Sequence, residues 1–555
     1  PMSTWRTHPD HENKGWPPGV PFIIGNEGCE RFSFYGMRSI LTLYMADVLY
    51  KSHPMFESAP KDFAKAHYHL FVAAVYAFPM IGAILADRLI GKYRTIFWLS
   101  LVYTAGHGVL AVGEGSVWGL WLGLGLIAVG SGGIKPCVSA NVGDQFGRGN
   151  WHRVRTVYQA FYFIINFGSF FATLMIPWLW KRWGISVAFG VPGILMAIAT
   201  FVFWLGRAKF VHIPAKPAGK LGLLDTLSST ALFMGVGHLF FTAAQPGWVQ
   251  VTTSIVMVGI GLALFEIRQK IEPDDGFLAV LWFSVKRYFG GGGAAKATNS
   301  EEPVADAPEV TDEVRARRKK LTASRFFGPA VKHFGMSTVE GPVAVLGIMT
   351  VFFLVSIFWA LFDQHGSSWV IQAKAMDLHV PLFGADPIDP QQVAALNPLM
   401  VMALIPFVNY ALYPGVEKLG FKATPLRRMT AGMLVAAGSF VAVALIQQRI
   451  DVLGPGKVAI EWQLVPYLII TLAEVMVSIT GLEFAYTQAP KRMKSTIMGF
   501  WLLTVAAGNV LVSVIAKIKL PEAQFFWVFA GLMAGAGLLF GIRAYFFKQQ
   551  DFIQD

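Results

Sequence analysis

The residues with the most chemistry to offer lie in one short stretch, Glu27-Gly-Cys-Glu30-Arg31-Phe-Ser-Phe-Tyr35-Gly-Met-Arg38, inside an otherwise apolar run that continues to Tyr50. At about 100° per residue, Glu27, Arg31, Tyr35 and Arg38 project at about 0°, 40°, 80° and 20°, with Glu30 near about −60°. Two carboxylates, two guanidinium groups and a phenol therefore share one narrow helix face. On a soluble helix they would be ordinary i,i+4 ion pairs, worth a few tenths of a kcal/mol each. In a bilayer the same face must turn away from lipid, because a charge at the centre costs roughly 3 kcal/mol on an insertion scale.

Other apolar runs are interrupted in the same way. His69 and Tyr76 are seven residues apart and share a helix face. An imidazole there is either a proton site, since it titrates near neutrality, or a neutral ring satisfied by a neighbouring carbonyl. Lys135 follows Gly130-Ser-Gly-Gly133 and precedes Pro136, so it sits deep where glycines permit close packing. A buried ammonium must deprotonate or find a carboxylate, and Glu27 and Glu30 are the available partners. Asn166 either binds a substrate or bonds across helices. Trp359 and Asp363 are four apart on one face, and Asn397-Pro398 can bend the helix that follows. Glu474 and Ser478 share a face, whereas Glu483 lies about 180° from Glu474 around an unbroken helix. Trp501 reads as pocket wall or as plain packing.

Composition requires a membrane to hold these residues. Hydrophobic residues make up 54% of the 555-residue chain and charged residues only 14%, against about a quarter in soluble proteins. The chain reads as an all-α polytopic membrane protein. Apolar windows of spanning length fall at 27–50, 67–88, 94–114, 117–142, 155–180, 186–206, 226–244, 249–268, 342–366, 391–413, 428–447, 462–488, 495–517 and 523–547. That is six spans, an inserted pair and six more, fourteen in all. The organisation is a tail at 1–20, a six-helix bundle at 21–206, the pair at 226–268, a linker at 271–341, a second six-helix bundle at 342–547 and a tail at 548–555. The loops Asp87–Arg94, Arg148–Arg155, Arg207–Lys220, Lys418–Arg428 and Lys491–Lys494 are basic and fall on one side, which makes that side and both termini cytoplasmic. Lys181-Arg182 and Lys51 to Lys65 break the rule.

The linker, with its Gly290–Gly293 run, acidic Glu301–Glu313 stretch and basic Arg315–Lys320 stretch, reads as a solvated tether; regulation by those charges is the alternative. An amphipathic helix is expected at Phe277–Phe289. The net charge of +12 sits in loops between spans and does not indicate nucleic-acid binding. Residues 1–20 are polar, so no cleavable leader is expected. Cys29 and Cys137 fall inside spans and indicate no disulfide or metal framework. No HExxH, Ser–His–Asp set or paired metal ligands argue for an enzyme, and a receptor or scaffold would leave the buried charges unexplained.

The distribution of sign carries the functional reading. The first bundle brings cations into the interior (Arg31, Arg38, Lys135) and the second brings anions (Asp363, Glu474). A site between them suits a zwitterion whose charges lie about 7–10 Å apart, a few residues of extended chain. The carboxylates beside Arg31 and Lys135 form a coupled titrating group, and protonating one frees a cation for a substrate carboxylate.

Glu27-x-x-Glu30-Arg31 with Tyr35-Gly36, the Gly82–Ile96 segment, Phe161-Tyr162-x-x-Ile165-Asn166-x-Gly168 and Phe358-Trp359-Ala-Leu-Phe-Asp363-Gln364 together resemble the proton-coupled oligopeptide transporter family, of prokaryotic type. The resemblance implies a major facilitator fold, alternating access and symport of di- and tripeptides with protons. It needs no cofactor and implies a monomer in a bacterial inner membrane. Glu27, Glu30 and Arg31 would be the coupling centre, with His69 and Asp363 contributing. Arg31, Tyr35 and Lys135 would take the peptide carboxylate, and Asn166 and Glu474, with Ser478, the amino end and backbone. Tyr44, Tyr76, Trp359, Phe484 and Trp501 match pocket positions. Arg38 and Asp363 resemble a gate pair, while Asp87 and Lys135 would serve other gating contacts. The alternative is a family member moving another small anion such as nitrate, which would leave Glu474 without a purpose.

Overall fold

The computed structural model describes residues 5–241, 247–290, 312–381, 386–488 and 494–547. Most of the acidic linker run, the Lys491–Lys494 loop up to its last residue and the 548–555 tail lie outside the described residues. The first bundle comprises α1 (Val20–Leu43), α2 (Pro60–Ala77), α3 (Pro79–Leu85), α4 (Lys92–Val112), α5 (Val117–Gly143), α6 (Val154–Trp183) and α7 (Ile185–Leu205). The inserted pair is α8 (Gly219–Phe241) and α9 (Trp248–Ile271). The linker holds α10 (Phe277–Phe289), α11 (Asp312–Thr322) and α12 (Gly328–Phe334). The second bundle is α13 (Met336–Phe362), α14 (Ser368–Lys374), α15 (Leu396–Phe407), α16 (Tyr413–Lys418), α17 (Pro425–Leu453), α18 (Leu464–Glu474), α19 (Thr480–Gln488), α20 (Lys494–Ala516) and α21 (Glu522–Phe546).

Helices stand at all fourteen places where the apolar windows fall. Twelve, among the described residues, are long and apolar enough to cross a membrane on length and composition alone. The other two are α1, which carries Glu27, Glu30, Arg31 and Arg38, and α8. Each bundle has its own apolar core, one built from Val20 to Phe210 and the other from Val345 to Phe540. Between the bundles the main seam is α2 against α20, with a second contact between α6 and α15. Ala73, Ala77 and Ala506 meet along the first seam, where small side chains let helices approach when lipid supplies no hydrophobic drive.

Glycine does the same inside the first bundle. A Cβ on Gly82 would lie 2.2 Å from the Gly132 carbonyl oxygen, so α3 and α5 touch backbone to backbone. This contact leaves α5 a helix through Pro136 and holds Lys135 one turn beyond the crossing.

The inserted pair is tied to the first bundle and the linker to both. Arg268 Nε bonds Asp225 Oδ1 at 2.7 Å, and Arg88 Nη1 reaches Asp225 Oδ2 at 3.5 Å. Glu266 accepts from Trp282 and pairs with Lys286 at 2.9 Å, which fixes α10 on α9. Phe283 stacks on His333 at 4.5 Å, and Arg318 forks onto Glu340 at 2.8 and 3.2 Å, which carries the linker onto α12 and α13. The N-terminal segment and the loops after α3, α5 and α7 gather at one end: Trp5 stacks on His212, and Gln145 receives the Val211 amide at 2.8 Å.

Replacing Gly82 with alanine forces the α3–α5 crossing apart, at a cost of about 2 kcal/mol. Thermal unfolding in detergent is expected to fall by several degrees for Gly82→Ala. Gly347→Ala, whose Cβ meets nothing within 4 Å, is expected to leave it unchanged or slightly raised.

Candidate functional site

Three polar clusters among the described residues gather most of the expected site residues. The first belongs to one bundle. On α1, Arg31 Nε bonds Glu27 Oε1 at 2.7 Å and lies 3.4 Å from Glu30 Oε2. Lys135 on α5 reaches Glu30 Oε1 at 3.5 Å. Its ammonium also sits over the rings of Phe34, at 4.3 Å, and Tyr76, at 5.7 Å. Glu27 and Glu30 are buried, and the Arg31 side chain keeps 13% exposure. Two carboxylates and two cations form a neutral set with geometry to spare: Glu30 is shared, and the Lys135 contact is long. Protonating either carboxylate leaves a cation short of a partner.

The second cluster joins the bundles. Arg38 Nη2 bonds Asp363 Oδ1 at 2.6 Å, and its Nε donates to the Tyr68 hydroxyl. Asp363 Oδ2 accepts from Asn509 Nδ2 at 2.7 Å. Asn509 Nδ2 also donates to the Val505 carbonyl at 2.9 Å, so its Oδ1 is left facing His69 Nδ1 at 2.6 Å. That forces His69 to donate through Nδ1–H, and its Nε2, 2.7 Å from Ser367 Oγ, then accepts from the hydroxyl. His69 is thus held by side chains rather than by a carbonyl, in series with Arg38–Asp363. Thr42 Oγ1 donates to the Gly366 carbonyl at 2.9 Å beside this pair.

The third cluster is in the second bundle. Glu474 Oε2 accepts from Asn397 Nδ2 at 2.8 Å, and the same amide lies 3.2 Å from Thr471 Oγ1. Glu474 ends α18, and a π-helical turn, Val475–Ile479, separates it from α19. The helix between Glu474 and Glu483 is therefore not unbroken, and the 180° argument from regular α geometry does not hold across it. Ser478 lies half-buried in that turn, and Glu483 is exposed. Trp359 and Trp501 meet edge to face at 6.1 Å, with Phe352 behind Trp501 at 5.0 Å.

Four expected residues stand away from these clusters. Tyr44 opens a π-helical turn, accepts from the Gly115 amide at 3.0 Å and packs on Phe189 at 5.2 Å. Phe484 is 1% exposed and packs against Phe547 at 5.5 Å. Asn166 donates to the Tyr162 carbonyl of its own helix at 2.9 Å. Asp87 is exposed, and Lys92 pairs with Asp144 at 2.7 Å instead; burial pushes the Asp144 carboxyl up and Lys92 opposes that. Tyr35 is half-buried on the α1 face between the first two clusters. Sequence reasoning gave no role to Asn509 or Ser367 and treated Asn397 as half of a bend; a lone Asn after Gly508 in an apolar span was the available signal. Among the described residues no three His, Cys, Asp or Glu side chains gather as metal ligands.

Comparison with known proteins supplies the frame for these clusters. The model of the family described as PTR2, POT family, matches residues 93–222 and 276–527. The chain belongs to the POT family. Solute carrier family 15 member 1 of Homo sapiens is 32% identical over 80% of this chain and 53% of its own length. Peptide transporter family 1 of Drosophila melanogaster is 32% identical over 79% of this chain and 48% of its own. The chain thus spans about half the length of these curated relatives. The solved POT family transporter PepTSo covers 96% of this chain at 37% identity and a TM-score of 0.75, with 98% of its own chain covered. An auto-inhibited POT family peptide transporter covers 97% at 36% identity and a TM-score of 0.74, with 99% of its own chain covered. The fold is that of the major facilitator transporters, and the chain is a multi-pass membrane protein.

In this POT-family chain Asn509 holds both Asp363 and His69. Asn509→Ala strands the two and is expected to cost about 1–3 kcal/mol, read as a lowered unfolding temperature in detergent. Val505→Ala on the same helix removes only packing, and is expected to cost less than Asn509→Ala.

Proposed function

We propose that the chain is a proton-driven importer of di- and tripeptides that works by alternating access in a bacterial inner membrane, as a monomer, with both termini cytoplasmic. The observation that carries this reading is the pairing of a neutral, over-shared ion cluster in one bundle with a carboxylate held by an amide in the other. Arg31 can release Glu27 or Glu30, and Lys135 can release Glu30, to take a peptide carboxylate. Glu474 can leave Asn397 to take a peptide amino group. A nitrate carrier has no use for the second group.

Proton coupling follows from charge balance in a low-dielectric interior. While Glu27 and Glu30 are ionised, both cations are occupied. A proton on either carboxylate frees a cation, so peptide and proton bind together. His69 offers a second entry: an added proton on Nε2 turns the Ser367 contact round and puts positive charge in series with Arg38–Asp363, favouring opening at that end. The basic loops argue for a cytoplasmic face at the opposite end.

The reading is tested with di-alanine uptake into proteoliposomes under a proton gradient imposed in each direction. Accumulation is expected only when the outside is acidic, and Glu27→Gln is expected to keep peptide exchange while losing concentrative uptake. Nitrate transport without peptide exchange overturns the substrate assignment. Glu474→Gln preserves the bond to Asn397, so the protein is expected to fold normally and to bind di-alanine at least tenfold more weakly. N-acetyl-di-alanine, which lacks the amino charge, is expected to bind both proteins alike in a competition assay.

A further inference from the structure

Lys65 is fully buried in α2, and neither the coupling cluster nor the Arg38 network uses it. Its ammonium bonds Asp62 Oδ1 on its own helix at 2.9 Å and Glu522 Oε1, the first residue of α21, at 3.0 Å. It also lies 4.6 Å from the centre of the Phe525 ring. A second cation crosses nearby in the other direction, with Lys519 from the α20–α21 turn over Phe63 of α2 at 5.3 Å. The turn before α21 is therefore docked on the first two turns of α2, bundle against bundle. This is the end at which Arg38 meets Asp363, since α1 ends and α2 begins there.

We propose that Lys65 and Glu522 form a second lock between the bundles, separate from Arg38–Asp363, that must open when this end opens. The proposal rests on the alternating-access reading, though not on the peptide or the proton. Burial of a lysine with no counter-charge costs several kcal/mol, so Lys65 needs a partner in every state. Asp62 travels with it on α2 at i,i+3 and remains after the bundles part. Glu522 is released at the start of α21, where the helix dipole favours a carboxylate. Both halves thus have somewhere to rest, which makes the contact breakable rather than merely structural. It shares no residue with the His69 chain, so the two locks act in parallel.

The experiment reads conformation directly. Spin labels on cysteines placed at Ser58 and Gln524, both exposed and on opposite bundles, report the width of this end by pulsed dipolar spectroscopy in nanodiscs. Glu522→Gln, which leaves Lys65 with Asp62, is expected to raise the ratio of long to short distances at least fivefold. The surface control Lys61→Gln is expected to leave the ratio unchanged. Combined with Asp363→Asn, the two ratios are expected to multiply, as separate locks require. An unchanged distribution in Glu522→Gln overturns the lock, even if that variant unfolds at lower temperature. A double variant no wider than Asp363→Asn alone overturns its independence. Failure of the unsubstituted protein to move di-alanine, with the distance shift intact, overturns the transport reading and leaves the lock standing.

Discussion

The constraint on which this architecture depends is that a charge inside the helical body needs a companion. Arg38 and Asp363 show how it is met. Each has a companion in its own bundle, Tyr68 for the guanidinium and Asn509 for the carboxylate, and each has the other across the seam. When the bundles separate, neither is left with only apolar neighbours. A buried ion pair of this kind adds little net stability over a well-packed apolar contact. Its value lies in having two acceptable arrangements, which makes the contact bistable.

The same reasoning separates this pair from the first cluster. Glu27, Glu30, Arg31 and Lys135 all belong to the first bundle, so a separation of the bundles would not part them. Lys135 comes from α5 three residues after Gly132, where α5 meets α3 backbone to backbone, and it reaches Glu30 on α1 at 3.5 Å.

Much of this was legible from residues alone. The α1 face followed from the helix period, and a partner for Lys135 among the α1 carboxylates followed from the cost of a buried ammonium. What escaped has physical causes. Asn509 is a neutral residue in an apolar run, and nothing local announces that it faces two ionisable groups from other helices. The face angles assumed regular α geometry, which the π-helical turns at Tyr44–Leu49 and Val475–Ile479 interrupt. An extra residue in a turn is invisible to a periodicity count. Asp87 has the look of an ion-pair partner for the basic residues after it, yet the nearby lysine pairs with a carboxylate beyond α5.

The connection between the bundles has a mechanical consequence. A chain running loosely from α7 to α13 would let them move almost freely, since a long flexible tether costs little to extend. Here Asp225 and Arg88 anchor the inserted pair to the first bundle, Glu266 anchors α10 to α9, and the Phe283–His333 stack anchors α10 to α12. Arg318 of α11 pairs with Glu340 of α13, Val280, Leu321 and Ala330 pack with Val339, and the chain enters α13 through Gly335, at a backbone φ of +86° that only glycine adopts without strain. The described part of the connection is thus carried onto both bundles by side-chain contacts, and a ligand or modification that stiffened those contacts would resist any change in how the bundles are set against each other without approaching the central clusters.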